Sequence, residues 1–203
     1  MSDSSWNVVL LDEMVENGMV ELGRGNVISR LDIERQPGEY PVYSSSAQGD
    51  GKFGQYGQYM FDEELISWSV DGGGRFFYRP KHKFSVTNVS GYMRVLSADI
   101  DCKYLYFALD WLHAQHTFDY QLKAHPSVIR KLYRIPLPAL DEQRRIAAVL
   151  MSVDEAIRAN AALIGSPATG SNDVIGQLQT LRLGLLDDLL SGRVRVPATA
   201  AAR

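Results

Sequence analysis

The sequence predicts a mixed α/β (α+β) chain in which a strand-rich globular domain precedes long helices of the coiled-coil type. Two short stretches, 65–70 and 84–96, are rich in β-branched and aromatic residues, and the first alternates apolar with polar positions as half-buried strands do. From Ile146 onward the apolar residues instead recur every three or four positions, which indicates a helix. We therefore predict a globular domain over 1–134, a helical region over 135–197 and a frayed tail over 198–203.

The first elements of the globular domain are a short amphipathic opening and a turn. Residues 6–22 place Met14 and Val20 among the candidate core residues, and Gly23-Arg24-Gly25 is predicted to turn the chain. The segment 40–59 follows, with hydroxyl and carboxamide side chains set among aromatic residues. Such side chains suit contacts to base edges and phosphates, although they suit an exposed β-rich loop equally well. The candidate DNA contacts in this segment are Ser45, Ser46, Gln48 and Lys52.

A strand over 65–70 leads into a glycine-rich turn and then into the densest basic run of the chain. Trp68 lies on the apolar face of that strand, so we predict a core residue rather than a stacking platform. Asp71-Gly72-Gly73-Gly74-Arg75 lacks the Lys and Ser/Thr of a phosphate loop and is predicted to be a hairpin turn. Pro80 is expected to keep the next stretch out of regular structure, so that its side chains fan from a loop. The candidate phosphate contacts here are Arg75, Arg79, Lys81, His82 and Lys83.

The last element of the globular domain is a helix over about 101–119, with Asp99 or Asp101 as its N-cap. His113 and His116 would share a face, but no further His or Cys completes a metal site nearby, so no metal is predicted. A basic loop, 123–127, follows and adds Lys123 and His125 to the candidate DNA contacts.

The distribution of charge is more informative than its sum of −3. Two windows, 72–98 and 120–140, contain basic residues and no acidic ones, as a one-faced phosphate-binding surface requires. A solvated charged face would give the same pattern, and composition does not separate the two. The single Cys102, the absence of a long apolar run and an N-terminus unlike a signal peptide predict a cytoplasmic chain without a membrane segment.

The helical region begins after an extended stretch, Ile135-Pro136-Leu137-Pro138, with Asp141 and Glu142 in its first turn. A seam of apolar residues at coiled-coil spacing follows, and a second seam in the same register begins at Val174. Pro167 would occupy a seam position, so we predict a break within 165–173 that leaves two helices. A two-helix hairpin packed on its own domain remains an alternative to pairing with a partner. The seam residues are Ile146, Leu150, Val153, Ile157, Leu178, Leu181 and Leu185.

These stretches resemble a known family. Residues 135–146 and 185–194 resemble the conserved region of Type I restriction–modification specificity subunits, and 40–46 and 84–89 resemble the target recognition domain of that family. The resemblance implies one recognition domain and one conserved helical region, a half-length form. It also implies double-stranded DNA, a methyltransferase subunit and a restriction subunit as partners. S-adenosylmethionine would be bound by the methyltransferase subunit, and this chain would bind no cofactor.

We therefore predict a non-enzymatic specificity subunit that directs the methyltransferase to a bipartite DNA site. No methyltransferase, nuclease, hydrolase or nucleotide-binding motif occurs, so no catalytic residue is predicted. The alternative is a regulatory protein that docks on the methyltransferase without reading DNA, and an enzyme with an anion site at 71–75 is a more distant one. The lone helical seam predicts a homodimer about a two-fold axis, and hence an interrupted palindromic target.

Overall fold

The computed structural model describes residues 6–45, 49–70, 75–116, 123–163 and 171–198. They form an α+β fold with a helical segment at the C-terminal end. The strands are β1 (Asn7–Leu10), β2 (Val20–Arg24), β3 (Tyr40–Tyr43), β4 (Lys52–Tyr56), β5 (Phe61–Ser69), β6 (Phe76–Val86), β7 (Ser90–Val95) and β8 (Arg134–Leu137). The helices are α1 (Leu11–Glu16), α2 (Arg30–Arg35), α3 (Cys102–His113), α4 (Pro126–Leu132), α5 (Leu140–Leu163) and α6 (Ser171–Leu190).

The chain divides into two compact units. The larger unit is Val8–Ile135, and the helical unit combines Met1–Asn7 with Pro136–Arg203. The larger unit contains a six-stranded sheet with the strand order β2-β7-β5-β6-β3-β4, while β1 and β8 form a separate pair. Neighbouring strands of the six-stranded sheet are antiparallel, except β3 and β6, which are parallel.

Trp68 anchors the core of the larger unit, as the alternation along β5 predicts. Its side chain is 1% exposed, and its indole N–H donates to the Ala124 carbonyl at 2.7 Å. The ring lies against Gly91 of the neighbouring strand, where an added Cβ would come within 2.2 Å of ring atoms. Gly91 is therefore needed so that β7 can pass beside the indole.

Two predicted departures from regular structure are wrong. The segment 23–25 does not form a turn, because Gly23 lies inside β2, with the Tyr92 ring over its Cα. The basic run does not form a loop either, because β6 extends through Pro80. The register against β5 shifts from Leu65↔Arg79 to Glu63↔His82, so β6 carries an extra residue there. Such a bulge leaves a backbone position outside the ladder, which is where a strand tolerates proline.

The helices of the larger unit begin at capping residues. Asp101 accepts a hydrogen bond from the Tyr104 N–H at 2.9 Å and caps α3, as predicted. α3 ends at His113, earlier than the sequence pattern indicates, and residues 117–122 lie outside the described part of the chain. α4 begins with Pro126 in its first turn, where the missing N–H has no intrahelical partner to lose.

In the helical unit, α5 and α6 pack side by side in opposite directions. Arg182 donates to the Asp154 carboxylate at 2.6 Å, and Arg195 reaches Glu142 at 3.0 Å. As the residue number rises on one side, it falls on the other, so the two segments are antiparallel. One straight helix across 144–190 is thereby excluded, as predicted, although 164–170 lie outside the described residues.

The predicted seam is only partly covered within the helical unit. Ile146 and Leu150 are fully buried, whereas Val153 and Ile157 are half-buried. On α6, Leu178 and Leu185 are half-buried and Leu181 is 50% exposed. The most buried side chains of α6 are instead Leu186, Leu189 and Leu190. The heptad register thus holds for the start of α5 but not for the buried face of α6.

Candidate nucleic-acid interface

The second half of β6 presents two lysines to solvent. Lys81 and Lys83 are exposed, and neither makes an ion pair with any residue in the described part of the chain. The Lys83 ammonium lies 4.9 Å from the centre of the Tyr59 ring and 5.7 Å from that of Tyr40. Cation–π attraction from both rings favours this position while leaving the charge accessible. A phosphate could therefore bind here without first displacing a carboxylate.

His82 lies between these lysines, but its ring is engaged inside the fold. It stacks on Phe84 with ring centres 4.6 Å apart. Its Nδ1 is 2.6 Å from the Pro80 carbonyl, and its Nε2 is 3.2 Å from the Tyr43 hydroxyl. A neutral ring can donate to the carbonyl through Nδ1 and accept the phenol proton at Nε2. The structure thus gives His82 a supporting role in the bulge.

Arg79 is placed differently from its predicted position in a loop, because it lies in the interior. The residue is 4% exposed, with the guanidinium 3.6 Å from the centre of the Tyr43 ring and 4.7 Å from that of Phe77. Its Nε donates to the Ser67 hydroxyl at 2.9 Å, and its Nη1 donates to the Asp50 carbonyl at 2.7 Å. Burial disfavours the charged form and lowers the pKa of Arg79 to about 10, so it still carries its charge at neutral pH. A surface phosphate contact by Arg79 is not compatible with this burial.

The connection between β3 and β4 carries three of the predicted contacts, and Lys52, the first residue of β4, is a fourth. Its ends are held together by the Ser44 N–H, which donates to the Gly51 carbonyl at 2.9 Å. The Lys52 N–H donates to the Asp50 carboxylate at 3.0 Å, and the Lys52 side chain is exposed. Ser45 is half-buried, while Ser46 and Gln48 lie outside the described residues.

The remaining predicted contacts lie near the opposite end of β6. The Arg75 carbonyl accepts from the Ser69 N–H at 3.2 Å, and the Ala124 N–H donates to the Val70 carbonyl at 3.1 Å. Lys123 and His125 therefore lie beside the end of β5. Lys123 is exposed, and the His125 Nδ1 accepts from the Ser127 N–H at the start of α4. Six residue steps along the chain separate Arg75 from Lys81, which corresponds to roughly 20 Å in an extended strand. The structure thus does not bring all the candidates together at one place.

The sequence prediction missed the residues that support the basic side chains. Tyr40 and Tyr59 pack edge to face at 5.1 Å beneath Lys83, and Tyr43 covers Arg79. A signal for the tyrosines was present, because aromatic residues recur through 40–59. Their pairing with β6 joins segments about forty residues apart and has no local signature.

The described residues offer neither a metal site nor a membrane-spanning helix. Within the described ranges, no group of three or more His, Cys, Asp or Glu side chains could hold a metal ion. Nor is any described helix both long and apolar enough to cross a membrane.

The chain is similar to known proteins of one family. The sequence matches the family described as the Type I restriction modification DNA specificity domain over residues 4–164. The specificity subunit of the type I restriction enzyme MpnII from Mycoplasma pneumoniae is 32% identical over 139 residues, which is 66% of this chain and 41% of that protein.

Solved structures show the same fold. The S subunit of a Type I restriction–modification system from M. genitalium superposes with a TM-score of 0.62 at 20% identity, covering 81% of this chain and 43% of that one. The HsdS subunit from Thermoanaerobacter tengcongensis gives a TM-score of 0.57 at 19% identity, covering 96% of this chain and 47% of that one. The chain thus spans about half the length of these relatives.

Proposed function

The chain belongs to the Type I restriction modification DNA specificity domain family, and on that premise we propose that it is the sequence-recognition subunit of a Type I restriction–modification complex. It would direct a separate methyltransferase subunit, and a restriction subunit, to a bipartite site on double-stranded DNA. The observation that carries the proposal is the family match over 4–164, which spans the whole six-stranded sheet and its exposed lysines.

The charges of the larger unit support DNA contact. Lys52, Lys81 and Lys83 are exposed, and no ion pair with a described residue neutralises any of them. Phosphate contacts by such side chains supply affinity and orientation but carry no sequence information. We assign these three lysines to the DNA backbone.

Base recognition requires hydrogen-bonding groups that can enter a groove. β3 and β4 form the antiparallel pair at one edge of the six-stranded sheet, and the major groove admits a two-stranded β element. The β3–β4 connection carries Ser45, Ser46 and Gln48 beside Lys52. We infer that this connection reads bases while the lysines hold the adjacent phosphates.

The proposed subunit is not itself an enzyme. S-adenosylmethionine and the methyl-transfer chemistry would belong to the methyltransferase subunit, and DNA cleavage would belong to the restriction subunit. The complex would work in the cytoplasm, where these partners meet the DNA.

A second copy of the chain is the partner that we propose for α6. Leu181 is 50% exposed and Val174 is 42% exposed, and they continue the stripe of half-buried Leu178 and Leu185. A large apolar side chain that stays exposed to water lacks about 1.5–3 kcal/mol of stabilisation that its burial would provide. Identical chains most often pair about a two-fold axis, which would present two recognition units to the two halves of an inverted repeat.

Co-expression with a Type I methyltransferase subunit tests the proposal. Mapping methylated bases on the host DNA is expected to reveal one motif, made of two half-sites separated by a spacer of fixed length. Lys81→Ala with Lys83→Ala should reduce methylation without changing the motif, since phosphate contacts do not specify bases. A complex that forms but methylates no defined motif would instead favour a regulatory protein that docks on the methyltransferase without reading DNA.

A further inference from the structure

Arg79 is a buried cation whose polar partners come from two different parts of the larger unit. One is the Ser67 hydroxyl on β5, and the other is the Asp50 backbone carbonyl in the β3–β4 connection. Neither partner is charged, and no ion pair between Arg79 and a described carboxylate is present. A buried charge whose hydrogen-bond partners are neutral is costly. The nearby Asp50 carboxylate favours the charged form without forming an ion pair, so a well-packed apolar residue would still be the cheaper choice for stability alone.

The same guanidinium holds both ends of the β3–β4 connection. The Tyr43 ring lies 3.6 Å from it at the end of β3, and Asp50 lies two residues before β4. Between these points, the Ser44 N–H donates to the Gly51 carbonyl, and the Thr87 hydroxyl donates to the Ser44 hydroxyl at 2.9 Å. Arg79 thus links the connection to β5 in the middle of the sheet order, beside the Thr87–Ser44 hydrogen bond.

We propose that Arg79 is a positioning residue for DNA recognition, which fixes the two ends of the β3–β4 connection on the sheet so that Ser45, which we assign to base recognition, is held ready for the groove. The inference rests on the proposed function. Binding groups contribute most when their support holds them in place before the ligand arrives, because binding then costs less conformational entropy.

Arginine suits this task because of its planar fork. It can lie flat on Tyr43 while donating in the plane of the fork towards Ser67 and Asp50. Lysine carries the same charge as a single point on a flexible stem and cannot reproduce that geometry. Arg79→Lys therefore separates the effect of charge from the effect of position.

A direct phosphate contact and a positioning role predict different binding data. Loss of a phosphate contact weakens binding to all sequences alike and lowers the salt slope by about one, and lysine restores most of it. Loss of positioning weakens binding to the recognised sequence alone, leaves the salt slope unchanged, and is not rescued by lysine.

The experiment compares wild type, Arg79→Lys and Arg79→Met in complex with the methyltransferase subunit. The affinities for a duplex containing the mapped motif and for an unrelated duplex of equal length are measured across a salt series. Both variants are expected to bind the motif about tenfold more weakly, as loss of one charged hydrogen bond implies. Binding to the unrelated duplex should not change. Lys81→Ala, which removes an exposed charge and no support, is the matched control and should lower the salt slope.

Amide hydrogen exchange on the chain alone provides a readout that does not depend on DNA. The Ser44 and Lys52 amides should exchange faster in both variants, while the amides paired between β2 and β7 keep their protection. If the Arg79→Met variant does not fold, the binding and exchange data for Arg79→Lys alone test the proposal. Rescue by lysine, a uniform loss across sequences, or unchanged exchange at Ser44 and Lys52 would overturn the proposal. If wild-type complex recognises no motif, the proposed function fails, and the exchange data still test the anchoring.

Discussion

The salt dependence of DNA binding is the sharpest test of the exposed lysines on β6. Replacing Lys81 and Lys83 with alanine removes two accessible charges that no described residue neutralises. If each contacts one phosphate, the slope of log affinity against log salt should become shallower by about 1.8. The wild-type advantage over the double variant should then shrink about twelvefold when salt rises from about 50 to about 200 mM.

Fluorescence anisotropy with a labelled duplex measures this slope directly. Arg158→Ala is the control, because this exposed arginine lies on α5 in the helical unit and not on a strand of the sheet. The control should leave the slope unchanged, and the double variant should bind all duplexes more weakly. Parallel plots for wild type and the double variant would refute the assignment of these lysines to the DNA backbone, whatever the loss of affinity at one salt concentration.

Three further outcomes follow from the described geometry. Leu181 is 50% exposed, so Leu181→Asp places a charge on the apolar stripe of α6 and should dissociate the proposed pair in sedimentation experiments while leaving the helical content unchanged by circular dichroism. Gly91→Ala forces a Cβ against the Trp68 ring and should lower the free energy of unfolding by about 1–3 kcal/mol in urea titrations, whereas Gly184→Ala, which meets open space, should not destabilise. Burial raises the pKa of the Cys102 thiol, so the native chain should react slowly with a thiol reagent and rapidly in denaturant, and fast native labelling would contradict the burial.

Local sequence patterns predicted the elements whose partners lie close in the chain. The alternation around Trp68 identified β5, Asp101 identified the start of α3, and the two prolines before Leu140 marked the extended entry to α5. Each of these signals acts within a few residues, through side-chain alternation, capping or the fixed proline φ.

The basic run on β6 could not be predicted correctly, because its conformation depends on distant strands. Pro80 ordinarily argues against a strand, but the β5 pairing accommodates it in a bulge. The bulge also breaks the alternation, so counting along the chain does not show that Arg79 lies inside while Lys81 and Lys83 lie outside. The partners that bury Arg79 come from Asp50, Ser67 and Tyr43, which no local pattern joins to it.

The heptad register predicted for α6 is wrong for a related reason. Heptad spacing identifies apolar positions but does not say which of two overlapping faces a neighbouring helix covers. In the structure, Leu186 and Leu189 are buried, while Leu181 of the predicted seam is left exposed. The Arg182–Asp154 pair, which lies between α6 and α5, shows which side of α6 faces its neighbour.

The pairing of β2 with β7 determines when β2 can fold during synthesis of this chain on the ribosome. Val20 at the start of β2 pairs with Val95 at the end of β7, so the early strand is made long before its partner. At roughly 5–20 residues per second, the intervening segment takes roughly 4–15 s to translate. Throughout that interval β2 has an unpaired edge and apolar side chains without a core. Nascent chains of this protein should therefore be clients of a ribosome-associated chaperone until β7 emerges.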